Sequence, residues 1–339
     1  MKLKGLINRA QKAASWLGSR FINSALVLGY HRVADVSHDP FDICITPQHF
    51  AEHLEVLRRY AHPVGLQELM QRLINGNLPP GAVALTIDDG YADNLYHAKP
   101  LLEHYQIPAT IFVATGNLGR EFWWDELERM LMSPEKLPEQ LSLTLKDVTY
   151  EWALSNDDHE VLQKETPWSR ERLLWSVYQL FLPLTPAELE IAMDQLRSWV
   201  GLESYGVPSS RAVTADELFS LSTDELIEIG AHTVSHPVLT ELPKEAQEME
   251  ICGSKAFLED LLGQPVISFA YPNGAYNEET KTIVREAGFL SACASSHGVV
   301  WQGSNPFSLP RLWISDLDRV AFLRLLKWWS LGRMHRVNA

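Results

Sequence analysis

The chain has 339 residues, 46% of them hydrophobic and 21% charged, enough for one large α/β domain or two ordinary ones. Its formal net charge of −14 argues against a nucleic-acid partner, which would need a basic footprint. Cys44, Cys252 and Cys293 form no CxxC pair, which speaks against a disulfide framework or a thiolate zinc site and leaves small buried hydrophobes in a reducing compartment.

Charge is unevenly distributed along the chain. Residues 1–34 hold six Lys or Arg and no acid, and residues 319–339 hold five and no acid. Leu3, Leu6, Ile7 and Trp16 make residues 1–24 a basic amphipathic segment. Phe322, Leu325, Leu326, Trp328 and Trp329 do the same for a basic helix over 319–339. Such ends can touch an anionic membrane peripherally or dock on the acidic body of the chain, and we favour docking. No run of ~20 apolar residues is present. Asn8, Arg9, Gln11 and Lys12 interrupt any signal-like apolar core, so we expect a cytoplasmic protein, peripheral at most to the inner membrane face.

In chain order, "ALVLGYHRV" (25–33) reads as a buried strand ending in polar groups. The following "TPQHFAEHLEVLRRY" is a helix with Thr46 as cap, Pro47 in the first turn and Phe50, Leu54 and Leu57 on one face. "VALTI" is a second strand, a helix lies near 96–105, and "ATIFVAT" (109–115) is a third strand. Residues 120–212 show helical periodicity in "WDELERMLM", "SRERLLWSVYQLFL" and "TPAELEIAMDQLRSWV", and are expected to form a helical insertion with Trp123, Trp124, Trp168 and Trp175 in its core. From residue 213 the strand–helix rhythm resumes, with helices expected at "TADELFSLSTDELIEIG", 244–262 and 277–287, and strands at "VISFAYP" and "LSACAS". Buried strands alternating with helices imply a parallel sheet covered on both faces, over 25–119 and 213–318.

In such sheets functional groups gather at the carboxyl ends of the strands. His31, the pair Asp88-Asp89, His232 and His236, and Tyr271-Pro272-Asn273-Gly274 all follow strands. "HTVSH" places two imidazoles four residues apart, and with one aspartate they form a two-histidine, one-carboxylate set suited to a divalent cation. Two adjacent aspartates at a buried strand end then make sense: one ligates, offsetting the repulsion, and the other serves as general base. Alone, each motif is equally a capping turn or a strand-end histidine.

Together, "LTIDDG", "HTVSH" and "FAYPNG" resemble the polysaccharide deacetylases of the NodB homology type, carbohydrate esterase family 4, with Ile87 where a phenylalanine is usual. The resemblance implies a distorted (β/α)7-type barrel. It also implies a hydrolase of N-acetyl groups on amino sugars that uses a divalent metal, most often Zn2+, with Co2+ or Ni2+ as alternatives. Carried over by motif, Asp88 is the base and Asp89, His232 and His236 are the metal ligands. No late LxH motif is present, since His297 in "SSHGVV" matches poorly. The chain therefore resembles the circularly permuted branch, in which the histidine strand comes first and His31 is the acid. The family's RxPY arginine is absent, Ala270 standing in its place, and Arg311 in "SLPRLWI" is the candidate replacement. Tyr271 and the Asn273 N–H are candidates for the oxyanion and substrate.

The expected function is metal-dependent deacetylation of an N-acetylated glycan in exopolysaccharide or surface-glycan synthesis. Two rivals share the pattern: an allantoinase-like hydrolase of small cyclic amides, and a glycan-binding protein without activity.

Overall fold

The computed structural model describes residues 24–154, 168–201 and 210–330. Ser24–Tyr30 (β1) is buried from Ala25 onward, and so is all of Ala82–Ile87 (β2). Strands covered on both faces have no solvent side to demand polar residues, hence the unbroken apolar runs. β1 and β2 pair in parallel, with Leu28 opposite Leu85. Parallel pairing continues through Ala109–Val113 (β3), Ile227–Ala231 (β4), Ser268–Ala270 (β5) and Ser291–Cys293 (β6). Leu312–Trp313 (β7) returns to β1, also in parallel.

Two short strands, His62–Pro63 beside β2 and Val300–Trp301 antiparallel to β1, complete a nine-stranded curled sheet. Its two edges are linked by one segment: Leu309 bridges Cys293 of β6, and Leu312 lies opposite Leu28 of β1. This α/β barrel architecture brings the first strand beside the last, as the permuted reading requires.

Helices cover the outside. Pro47–Tyr60 begins at Thr46, whose hydroxyl accepts from the His49 N–H, and it buries Phe50, Leu54 and Leu57. Ala215–Ser222 carries a full capping box between Thr214 and Glu217. The helix expected to run on to residue 230 stops at Ser222. Asp224 accepts the Leu226 N–H in a turn, and Ile227 and Ile229 enter the centre of the sheet, where β-branched residues fit a pleated surface.

The insertion differs from its expected all-helical form. Besides helices Trp123–Met132, Arg170–Phe181 and Pro186–Val200, it contains an antiparallel hairpin of Gln140–Leu145 and Val148–Ala153. Leu141, Leu143 and Leu145 point alternately inward, and Lys146 and Asp147 at the tip both have positive φ, 49° and 65°. That pair of left-handed residues is the two-residue hairpin turn whose twist matches its strands. The insertion has its own apolar core, in which Leu127, Leu143, Leu173 and Phe181 take part.

Arg319–Ser330 docks on the body of the chain: Phe322 is fully buried and stacks on His53 at 3.8 Å, and Arg319 pairs with Glu55. Residues 1–23 and 331–339, and with them most of the two basic ends, lie outside the described residues. Replacing Phe322 with alanine should cost about 3–5 kcal/mol in urea unfolding, the range for emptying a buried aromatic position. A loss below about 1 kcal/mol would show that this helix is a loose appendage.

Candidate active site

β2 ends at Ile87, so Asp88 and Asp89 leave the sheet at its carboxyl edge, both buried. They meet opposite fates. Asp88 receives a bidentate pair from Arg311, Nη1 to Oδ1 at 2.6 Å and Nη2 to Oδ2 at 2.7 Å. Arg311 is fully buried and is itself fixed by the Ala294 carbonyl and the Thr86 hydroxyl. Burial alone would raise the Asp88 carboxyl, but the charge and hydrogen bonds of Arg311 outweigh it and hold the group at about 2. Arg311 directly precedes β7, so the group that orients Asp88 comes from the far end of the chain.

Asp89 turns away in the left-handed region, φ 72°, followed by Gly90 at φ 76°. Its Oδ1 is buried with no hydrogen-bond partner. Two imidazole nitrogens face that oxygen, His232 Nε2 at 3.5 Å and His236 Nε2 at 3.4 Å. Burial and the neighbouring Asp88 charge push the Asp89 carboxyl well above its ordinary range, whereas burial pulls both histidines down. His232 donates Nδ1–H to the Ala270 carbonyl at 2.8 Å, which leaves the Nε2 lone pair free toward Asp89.

One orphaned carboxylate oxygen and two inward-facing imidazoles are a donor set for a cation, and one ligand atom from each of Asp89, His232 and His236 lies within 4.8 Å of the others. The structure brings these three together.

The loop that carries the second histidine is strained, with Thr233 at φ 65° and His236 at φ 60°. Glu250, from helix Lys244–Leu262, holds it: its carboxylate accepts the N–H of Val234 and of Ser235, each at 2.8 Å, and the Ser235 hydroxyl. Nothing in the sequence around Glu250 marks it, because the contact is made across the fold.

His31 follows β1 and stacks on Trp313, ring centroids 4.5 Å apart and 12° from parallel. Gly29 makes room for that indole, since a Cβ there would lie 2.7 Å from the Trp313 ring. Burial lowers His31 to about 4, against the opposing pull of Asp88. Tyr271 lines the cleft but spends its hydroxyl on the Phe307 carbonyl, 2.9 Å away, so it offers the site a ring wall and not a free donor. Asn273 sits in a tight turn at φ 55°, also on the cleft wall.

The cleft measures about 370 Å³, and its far wall comes from the insertion: Trp124, Trp175 and Tyr178. Trp124 packs against His236 at 4.8 Å and donates its indole N–H to Tyr91, whose hydroxyl bonds Asp125. Asp125 faces Arg32 at 3.8 Å, and Arg32 also pairs with Asp93 at 3.0 Å. This buried network joins the insertion to the first strands. Of the tryptophans expected in the core, Trp124 is buried in a small apolar cluster while its edge lines the cleft, whereas Trp175 is exposed at the cleft.

Substituting Arg311 with leucine should cost roughly 3–5 kcal/mol, since it strands a buried carboxylate. It should also raise the Asp88 pKa above the ordinary value, measurable by NMR titration. In the parent protein the stabilisation from this pair is full above pH ~4, the unfolded Asp value, and drains as pH falls toward the folded value of about 2. A variant with unchanged urea midpoint and unchanged acid sensitivity would contradict the pairing.

The family model for polysaccharide deacetylases matches residues 75–172 and 204–292, more than half of the chain. The poly-beta-1,6-N-acetyl-D-glucosamine N-deacetylase of Staphylococcus aureus is 22% identical over 321 residues, covering 91% of this chain and 83% of that protein. Bacillus subtilis YxkH aligns over 89 residues at 28% identity, 26% of this chain and 32% of that one. Among solved structures, IcaB from Ammonifex degensii shares the fold with TM-score 0.59 and 20% identity, over 91% of this chain and 98% of that one. The Streptococcus pyogenes deacetylase PplD, in complex with acetate, gives 0.58 and 18% identity over 90% and 99%. With the matching model spanning both halves of the barrel and the strand-end carboxylates and histidines between them, the chain belongs to the polysaccharide deacetylase family.

Proposed function

We propose that this protein is a cation-dependent polysaccharide N-deacetylase that removes acetyl groups from an N-acetylated glycan, with poly-β-1,6-N-acetylglucosamine as the substrate class named for its relatives. The observation that carries the reading is the orphaned Asp89 oxygen between two imidazoles, next to a second carboxylate already neutralised by Arg311. Asp89, His232 and His236 would hold the cation, Zn2+ first, with Co2+ or Ni2+ as alternatives. Such an ion supplies Lewis acidity, polarising the amide carbonyl and acidifying water.

The protein's own groups account for the proton traffic. Asp88 takes a proton from the water that attacks the acetyl carbon. Arg311 fixes both its oxygens, so the carboxylate cannot rotate away from that task. His31, which follows β1 and lines the same cleft as Asp88, is the second proton-carrying group within reach of the reacting centre. His31 is assigned as the acid that protonates the departing nitrogen, in keeping with the permuted order of the motifs, while Asp88 keeps the proton taken from water until the products leave. Trp313 keeps its ring flat against the cleft. The Asn273 N–H, at the cleft wall, is assigned to the oxyanion, where loss of one donor typically costs about 2.7–4 kcal/mol. As the C–N bond breaks, acetate and a free amine leave. A cleft walled by Trp124, Trp175 and Tyr178 suits the apolar faces of sugar rings better than the small cyclic amide of an allantoinase-like enzyme.

Asp88→Asn should keep its metal and lose turnover by several orders of magnitude, scored as acetate released from N-acetylglucosamine oligomers. Near-parental acetate release would remove Asp88 from the base role. His232→Ala should lose its metal in elemental analysis, and full occupancy would break the ligand assignment. Arg311→Leu should turn over slowly while keeping metal.

A further inference from the structure

The catalytic cleft does not end at the reacting carboxylates. A second groove of about 830 Å³ meets it at Trp124, Tyr178, His236 and Asn273 and runs along the insertion. At the cleft, Trp175 is 42% exposed and stands outside the insertion's apolar core, although its helix buries Leu173, Leu174 and Val177 there. Phe41 and Tyr178 hold the indole edge to face, at 5.5 Å and 70° and at 5.6 Å and 76°. A large apolar ring, half open to solvent yet fixed by two neighbours, is a preformed surface with little rotamer entropy left to lose on binding.

The groove's chemistry narrows its occupant. Arg120, Arg129 and Arg197 line the groove together with Glu121, Glu126 and Glu190, and Arg129 is bound by Glu121 and Arg197 by Glu126, so the lining charges balance while still offering donors and acceptors. That combination suits an uncharged, polyhydroxylated chain, where aromatic faces meet the C–H side of a pyranose and polar groups meet its hydroxyls. At Arg129 and Arg197 an anionic chain would have to compete with carboxylates already seated there.

We propose that Trp175 is the stacking platform for the sugar ring beside the one being deacetylated, and that the groove along the insertion holds the continuing neutral glycan chain. This rests on the deacetylase reading and adds to it a specificity residue and a chain-length requirement. Consequently the protein should prefer long oligomers, and the preference should depend on an aromatic ring at position 175.

The test uses full-length zinc-loaded protein and β-1,6-linked N-acetylglucosamine di- and hexasaccharides, with hexasaccharide affinity measured calorimetrically in the Asp88→Asn background. Trp175→Ala should raise KM for the hexasaccharide about tenfold with kcat within about twofold, weaken hexasaccharide binding by about the same factor, and erase the preference over the disaccharide. Trp175→Tyr should restore all three, which a merely structural indole would not predict. Equal use of both oligomers by the parent protein would overturn the proposal, and so would unchanged KM and affinity in Trp175→Ala. Hexasaccharide binding that weakens in Trp175→Ala, with no acetate released by the parent, would overturn the deacetylase reading and leave the glycan groove standing. Acetate release with no effect of Trp175→Ala would do the reverse, and no binding at all would overturn both.

Discussion

Two carboxylates side by side at the end of one buried strand cannot both remain charged without help, and the structure helps each differently. Arg311 is brought fully out of water to grip Asp88 with two hydrogen bonds. Asp89, one residue on and turned the other way by a left-handed backbone, receives no donor at all. Burying a guanidinium and a carboxylate together is costly and repaid only by good geometry. The closure of the sheet by Leu309–Trp313 provides that geometry, because the same segment carries Arg311 inward and places Trp313 over His31.

From that division of labour the chemistry of the cleft follows. A carboxylate locked by arginine is oriented and weakly basic. An orphaned one beside two neutral imidazoles lacks only positive charge. The loop bearing His236 is held in an unfavourable backbone conformation by Glu250, so the two imidazoles and the Asp89 carboxylate are brought together by the fold itself.

The insertion forms one wall of the cleft. Its first helix sends Trp124 against His236, and the chain of Trp124, Tyr91, Asp125 and Arg32 ties that helix to the barrel through buried polar contacts. Burial raises the Asp125 carboxyl at this junction to about 7, partly countered by Arg32. Helix Arg170–Phe181 adds Trp175 and Tyr178 to the aromatic wall of the cleft.

Much of the site was legible before any coordinates. Asp88, Asp89, His232 and His236 stand out because strand ends in a parallel α/β sheet converge on one rim, and local patterns such as "LTIDDG" and "HTVSH" mark those ends directly. The barrel strands were equally readable, since burial on both faces leaves long apolar runs. The hairpin in the insertion had a visible signal, the alternation of "QLSLTL" and "VTYEWA", which the stronger helical periodicity around it obscured. The stop of the helix at Ser222 depended on Ile227 and Ile229 finding sheet neighbours, a tertiary preference that overrides local periodicity. What only the folded chain decided are relations between residues distant in sequence: the grip of Arg311 on Asp88, Glu250 under the histidine loop, Trp313 on His31, and Trp175 at the cleft mouth. Sequence records which groups are present and the local turns that expose them. Charge pairing, desolvation and ring stacking depend on distance in space, and that distance is set when the sheet curls round and its last strand meets its first.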